Sequence, residues 1–335
     1  MSKKVLLPCG GGAMGRFAAN ELLDKGYYVD ILDVNEVKID NPNFRCIVHN
    51  GFDRKFMKNL LETEKYDGII DFMLYDTPQF AERFQMMLNN TEHYVFLSTY
   101  RIYANCDEIT TEESPRLLDV ADDEKYLASE DYSLYKARCE NILRASKYDN
   151  WTIVRPAITY SQYRYQLVTL EANATISRML QGKEIVLPKE AMNVDATMSW
   201  AGDLGKMYAG LLFNKKAYRE TYTLATAEYH PWKYVAECYE ELLGAKIRWV
   251  DKDDYLRIVG GGEIRNSNKW QLELDRLFDR RMDNSKILEL TGLKQEDMMP
   301  LKQGLKMMLD EVDLEATYKS GVYDYHMDKY LEERK

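Results

Sequence analysis

The 335-residue sequence predicts a doubly wound parallel α/β sheet followed by a smaller α+β lobe. Three observations carry that expectation. Short apolar runs alternate with helical stretches through the first half, a glycine cluster separates the first run from the first helix, and the last third reads mainly as helices.

The elements follow in order. Val5, Leu6 and Leu7 form a short buried-type run that ends in the cluster Gly10 to Gly15. Phe17, Ala18, Leu22 and Leu23 then fall at helical spacing, and Gly26 closes the helix. Tyr28 to Leu32 reads as a second strand ending at Asp33, and Gly68 to Met73 and Tyr94 to Ser98 as two more, with a helix from Gln79 to Asn89 between them. Strands separated by helices imply parallel pairing with both faces covered. Beyond them, Trp232 to Leu243, Asn284 to Leu290 and Leu301 to Leu309 read as helices. The division expected is a cofactor domain over 1–162, its sheet completed by part of 190–228, and a substrate lobe over 163–335.

Composition sets the outer limits. With 45% hydrophobic residues and 12% aromatics the chain has the means to bury a core, so disorder is not expected. A net charge of −10 disfavours nucleic acid and anionic membrane as general partners. No apolar run reaches the roughly 18 residues of a membrane span. The five cysteines show no C-x-x-C pairing, so neither a disulfide framework nor a bound metal is expected. The opening apolar run stops after three residues, too short for a signal peptide, and a cytoplasmic protein is expected.

Gly10-x-Gly12-x-x-Gly15 between a strand and a helix has a physical purpose. The first glycine permits a tight turn, the second lets backbone N–H groups approach a pyrophosphate, and the third lets helix and strand pack closely. Asp33, 18 residues beyond Gly15, stands where a carboxylate accepts ribose hydroxyls and repels a 2′-phosphate. NAD is therefore expected over NADP.

Thr99 closes a strand, and 33 residues later Tyr132 and Lys136 lie four apart on one helix face. A phenol is a poor base at neutral pH, but a nearby ammonium favours its ionised form. The Thr99 hydroxyl supplies a hydrogen bond that fixes a reacting alcohol. Tyr229/Lys233 and Tyr325/Lys329 repeat the spacing without an upstream Ser/Thr at a strand end.

Gly10 to Gly15, Asp33, Leu97 to Tyr103 and Tyr132 to Lys136 together resemble the extended short-chain dehydrogenase/reductase family, and within it the NAD-dependent epimerase/dehydratase branch. Val154 to Tyr160 is similar to that family's strand into the substrate lobe. Asp71 to Tyr75 and Asp283 to Lys286 also look like family segments, the former like an atypical subgroup with chloroplast RNA-binding relatives. The resemblance covers almost the whole chain and implies a Rossmann-like fold. It implies Tyr132 as catalytic acid/base, Lys136 as its partner and holder of the nicotinamide ribose, and Thr99 as the active-site hydroxyl. Gly10, Gly12, Gly15 and Asp33 would bind NAD, with Asp53 or Phe52 at the adenine. It also implies a homodimer. Ser98, Thr99 and Tyr132 are expected at the substrate.

The sequence departs from the pattern at Pro8, Cys9, Ile158 and Ser161, and Ala196 stands near the place of a pyrophosphate-binding arginine. Asn173, Arg178, Arg280 and Arg281 are candidates for replacement contacts, against a plainer reading as surface or helix-stabilising residues. Tyr160, Tyr163 and Tyr165 could stack on a sugar or pack the lobe.

Dehydratases of the branch carry Asp-Glu after the active-site threonine, whereas Tyr100 and Arg101 follow Thr99 here. Epimerisation needs no second base. The expectation is an epimerase acting on a sugar, a nucleotide sugar by resemblance. The alternatives are an NAD(H)-dependent dehydrogenase or ketoreductase of a sugar-like substrate, and a non-catalytic RNA- or protein-binding module on the same fold.

Overall fold

In the computed structural model, which describes residues 2–318, 321 and 323–334, seven strands form one sheet. They are β1 (Lys4–Pro8), β2 (Tyr28–Asp33), β3 (Phe44–Val48), β4 (Gly68–Asp71), β5 (His93–Leu97), β6 (Trp151–Pro156) and β7 (Thr221–Leu224). Their order is β7-β6-β5-β4-β1-β2-β3, and every neighbouring pair is parallel. The order runs outward in both directions from the β1–β4 pair. That reversal opens a crevice at the carboxyl ends of the central strands.

The strands owe their burial to alternation. Val5 and Leu7 point to one face, where Ala18, Leu22, Leu204 and Tyr208 cover them. Leu6, between them, points to the other, against Met57, Leu61 and Phe80. The helix Ala13–Asp24 buries Gly15, Ala18, Ala19, Leu22 and Leu23 against the sheet and the helix Ala201–Leu211. At their crossing a Cβ on Gly205 would lie 2.9 Å from the Phe17 carbonyl oxygen, so only glycine permits that approach.

After β6 the chain builds the second lobe, returning to the first sheet for the helix Ala201–Leu211 and β7. Ile158–Tyr160, Asp195–Trp200 and Tyr229–Pro231 form a three-stranded sheet, and Glu184–Pro188 pairs with Lys246–Val250. Helices Trp232–Leu243 and Leu301–Asp310 pack on them around Trp232, Tyr239 and Leu305. Among the described residues no helix is long and apolar enough to cross a membrane.

Two elements differ from expectation. The helix expected over 79–89 is two, Thr77–Ala81 and Phe84–Asn89. Arg83 sits at the break, where its Nη2 donates to the Phe52 carbonyl at 2.6 Å. Strand β3 was not foreseen. It is an edge strand with every residue partly or fully exposed, so it lacks a continuous apolar run.

Candidate active site

The crevice is a cleft of about 460 Å³ whose walls come from the glycine turn, the ends of β5 and β6, the start of the Tyr132–Ala145 helix and the second lobe.

At the turn the three glycines have different tasks. A Cβ on Gly10 would meet the Leu7 Cβ at 2.8 Å, and one on Gly15 would overlap the Gly10 carbonyl oxygen, so both are fixed by packing. A Cβ on Gly12 would meet nothing within 4 Å. Gly12 lines the cleft as N-cap of Ala13–Asp24 and has no side chain to cap that helix. Open space over an uncapped helix N-terminus suits an anion. Asp33 is tied to this turn. One carboxylate oxygen accepts the Gly11 N–H at 3.0 Å and the other the Asn35 N–H at 3.1 Å. Cys9 holds the left-handed conformation, φ 55°, at a cost of about 1–2 kcal/mol for a residue with a Cβ.

Asp53 has a sufficient structural task. It caps the helix Arg54–Glu64, accepting the N–H groups of Lys55 at 3.0 Å and Phe56 at 3.1 Å. These bonds and His49 hold its carboxylate below the usual range.

Asp131 caps the Tyr132–Ala145 helix by accepting the Ser133 N–H, which fixes Tyr132 in the first turn, on the cleft wall. Burial pushes its phenol upward, and the Arg101 guanidinium and the Thr99 hydroxyl oppose the shift. The Arg101 guanidinium lies 5.1 Å over the Tyr132 ring. Thr99 lines the same wall and its hydroxyl accepts the Arg101 N–H at 3.2 Å.

Lys136 corrects an expectation. Its side chain does not line the cleft. It is fully buried, and its Nζ donates to the Leu97 carbonyl at 2.6 Å and the Met73 carbonyl at 3.4 Å. Burial lowers its pKa to about 8, against the opposing influence of Cys139, Asp71 and Glu140. The tyrosine and lysine share a helix face, but the lysine reaches back under β5. Ser98 does line the cleft, but its hydroxyl is engaged behind it. Its Oγ donates at 2.6 Å to Glu140, which pairs with Arg155 at 2.7 Å, so the hydroxyl belongs to a buried network joining this helix to β6.

The second-lobe candidates fare differently. Asn173 is exposed and away from the cleft. Arg178 is buried but faces Asp324 at 2.9 Å and Asp328 at 2.7 Å, a salt-bridged strut outside the site. Arg281 pairs with Asp195 on the surface. Tyr160 and Tyr165 are core residues, and Tyr163 stacks under Arg16. Arg280 is buried behind the cleft. Among the polar residues that do line the cleft away from the glycine turn are Arg101, Arg164, Gln166, Glu171, Gln271 and Arg276. They come from three stretches of chain, around 101, 164–171 and 271–276, and only Arg101, two positions after Thr99, carried a local signal.

No protein-family model and no curated protein matches the sequence. Solved structures do match in three dimensions. Pal from Bacillus thuringiensis superposes with a TM-score of 0.71 at 17% identity, over 92% of this chain and 99% of that one. The chain shares their fold. UDP-glucuronic acid 4-epimerase from Bacillus cereus, solved with UDP-glucuronic acid and NAD, gives 0.69 at 14% identity over 94% of this chain and 100% of its own. TunA, an NAD-dependent NDP-hexosamine 5,6-dehydratase, gives 0.68 at 13% over 93% and 99%.

Proposed function

We propose that this chain belongs to the extended short-chain dehydrogenase/reductase family and is an NAD-dependent epimerase that oxidises a sugar alcohol and returns the hydride to the opposite face. One observation carries the reading: the Tyr132 and Thr99 side chains and the open glycine turn line a single cleft at the switch point of the sheet. The residues present fit NAD. Gly12 and the helix N-terminus behind it would hold the pyrophosphate, and Asp33 would accept the ribose hydroxyls while repelling a 2′-phosphate. Bound there, NAD supplies a reversible hydride acceptor.

The chain's own groups do the rest. Tyr132 takes the alcohol proton and later returns it, and Thr99 holds the alcohol oxygen in line. Arg101 over the Tyr132 ring favours the phenolate, a task that Lys136 does not perform from its seat on the Leu97 carbonyl. Loss of water has poor support. Tyr100 is buried on Asp275, and the cleft carboxylate Glu171 is held by Arg164 at 3.1 Å and by Gln166.

The test supplies UDP-, GDP- and dTDP-sugars to the purified protein with NAD and follows inversion by NMR and absorbance at 340 nm. Inversion without net absorbance change is expected. Net reduction of NAD with one oxidised product would replace the epimerase by a dehydrogenase. No conversion, together with no NAD binding, would defeat the enzymatic reading.

A further inference from the structure

Charge at the far end of the cleft is unbalanced. Arg101, Arg276 and Arg280 converge on the single carboxylate of Asp275, with Nε of Arg101 at 3.2 Å and Nε of Arg280 at 3.3 Å. Arg164 and Glu171, beside them, cancel each other. Among the described residues, three guanidinium charges of this cluster thus share one carboxylate charge, which leaves two in excess. Asp275, Arg276 and Arg280 are nearly inaccessible, at 1%, 4% and 2% exposed. Uncompensated buried charge is costly unless a counter-charge arrives.

The donors are also in surplus. The Arg276 guanidinium is fully engaged by Tyr100, Asp275, Gln166 and the Val168 carbonyl. The Arg280 Nη2 and the Arg101 Nε are buried and have no hydrogen-bond partner among the described residues. Arg101 touches Asp275 only as an ion, and among the described residues its guanidinium makes no hydrogen bond, although it faces the cleft over Tyr132. A guanidinium fork with its donors unused is the geometry that takes a carboxylate or phosphate through paired bonds. A second, polar cavity of about 320 Å³ over Arg116, Arg144 and Arg155 lacks this surplus. There Arg116 and Arg155 pair with Asp119 and Glu140, and Arg144 donates to Thr221.

We infer that the cleft binds an anionic oxygen group, carboxylate or phosphate monoester, on the reacting portion of the substrate itself, with Arg101 as its direct partner and the Arg276–Arg280 cluster as its field. The inference rests on Tyr132 marking the reacting end of the cleft. It makes the oxidised alcohol a neighbour of an acid group, whatever the remainder of the substrate.

Two probes separate the two chemistries: inorganic phosphate, and glycolate as the smallest hydroxy-carboxylate. Each is titrated by calorimetry into the full chain with and without saturating NAD, ethylene glycol serving as the neutral control. Saturable binding of one or both anions is expected, weakened at least tenfold in Arg101→Gln and largely restored in Arg101→Lys. Tighter glycolate binding assigns a carboxylate, and tighter phosphate binding a phosphate ester. Absence of saturable binding, or equal binding in Arg101→Gln, overturns the inference. Circular dichroism of each variant reports folding, and should Arg101→Gln not fold, Glu171→Gln, which removes the negative charge beside the cluster, is the second probe and should tighten anion binding. NAD is titrated separately. Anion binding that depends on Arg101 without any NAD binding would leave this site standing and remove the epimerase reading, while the reverse would remove only this inference.

Discussion

The two ends of the cleft are built by different means. The glycine-turn end is made of backbone: a short loop, a helix N-terminus and one carboxylate that accepts the Gly11 N–H. The arginine end is made of side chains delivered by Arg101, Arg164, Gln271 and Arg276 from segments far apart in the chain. Backbone sites demand particular residues at fixed spacing, so they leave a signature. Side-chain sites need only reach, and reach leaves none. The first end suits a cofactor in the proposed reading, and the second is where that reading puts this chain's selectivity.

Four substitutions sharpen that contrast, from the largest effect to the smallest. Tyr132→Phe removes the proposed proton carrier where the two ends meet, so turnover should fall about 10²–10⁴-fold while NAD affinity is unchanged. Glu140→Gln should lower unfolding free energy by about 3–5 kcal/mol in urea melts, because it leaves Arg155 as an unpaired buried charge. The loss should touch both ends, since Glu140 braces Ser98 and the Tyr132 helix together. Gly15→Ala should cost about 1–3 kcal/mol and weaken NAD binding while sparing anion binding at Arg101, because its Cβ meets immobile backbone.

The last effect is one of pH, about 2 kcal/mol between pH 8 and pH 10. Native Lys136 sheds its proton near pH 8, whereas the unfolded chain holds it to about 10.5. Between those values the unfolded state binds more protons, so this group makes stability rise with pH. Lys136→Met should remove that contribution, measured as the change in urea midpoint between pH 8 and pH 10.

Legibility in the sequence followed the same physical division. Strands β1, β2, β4 and β5 were readable because buried parallel strands are runs of apolar residues. Helix Trp232–Leu243 was readable to its ends, with Pro231 before it and Gly244 in the left-handed conformation after it. The break at Arg83 left no mark in the local spacing, and the Phe52 carbonyl that receives its side chain lies 31 residues away. Lys136 shows the limit of face arguments. Helical spacing placed it beside Tyr132, but a long flexible side chain chose the carbonyl of Leu97. Arg280 was a candidate contact weighed against a surface reading, and only the contact with Asp275 reveals a buried cluster.

A crystal structure of the full chain grown with saturating NAD tests the central claim most directly. The account predicts the pyrophosphate against Gly12 and the helix N-terminus, a ribose on Asp33, and the nicotinamide within about 3–4 Å of the Tyr132 oxygen. Density for NAD elsewhere, or a cleft that stays empty at saturating cofactor, would contradict it.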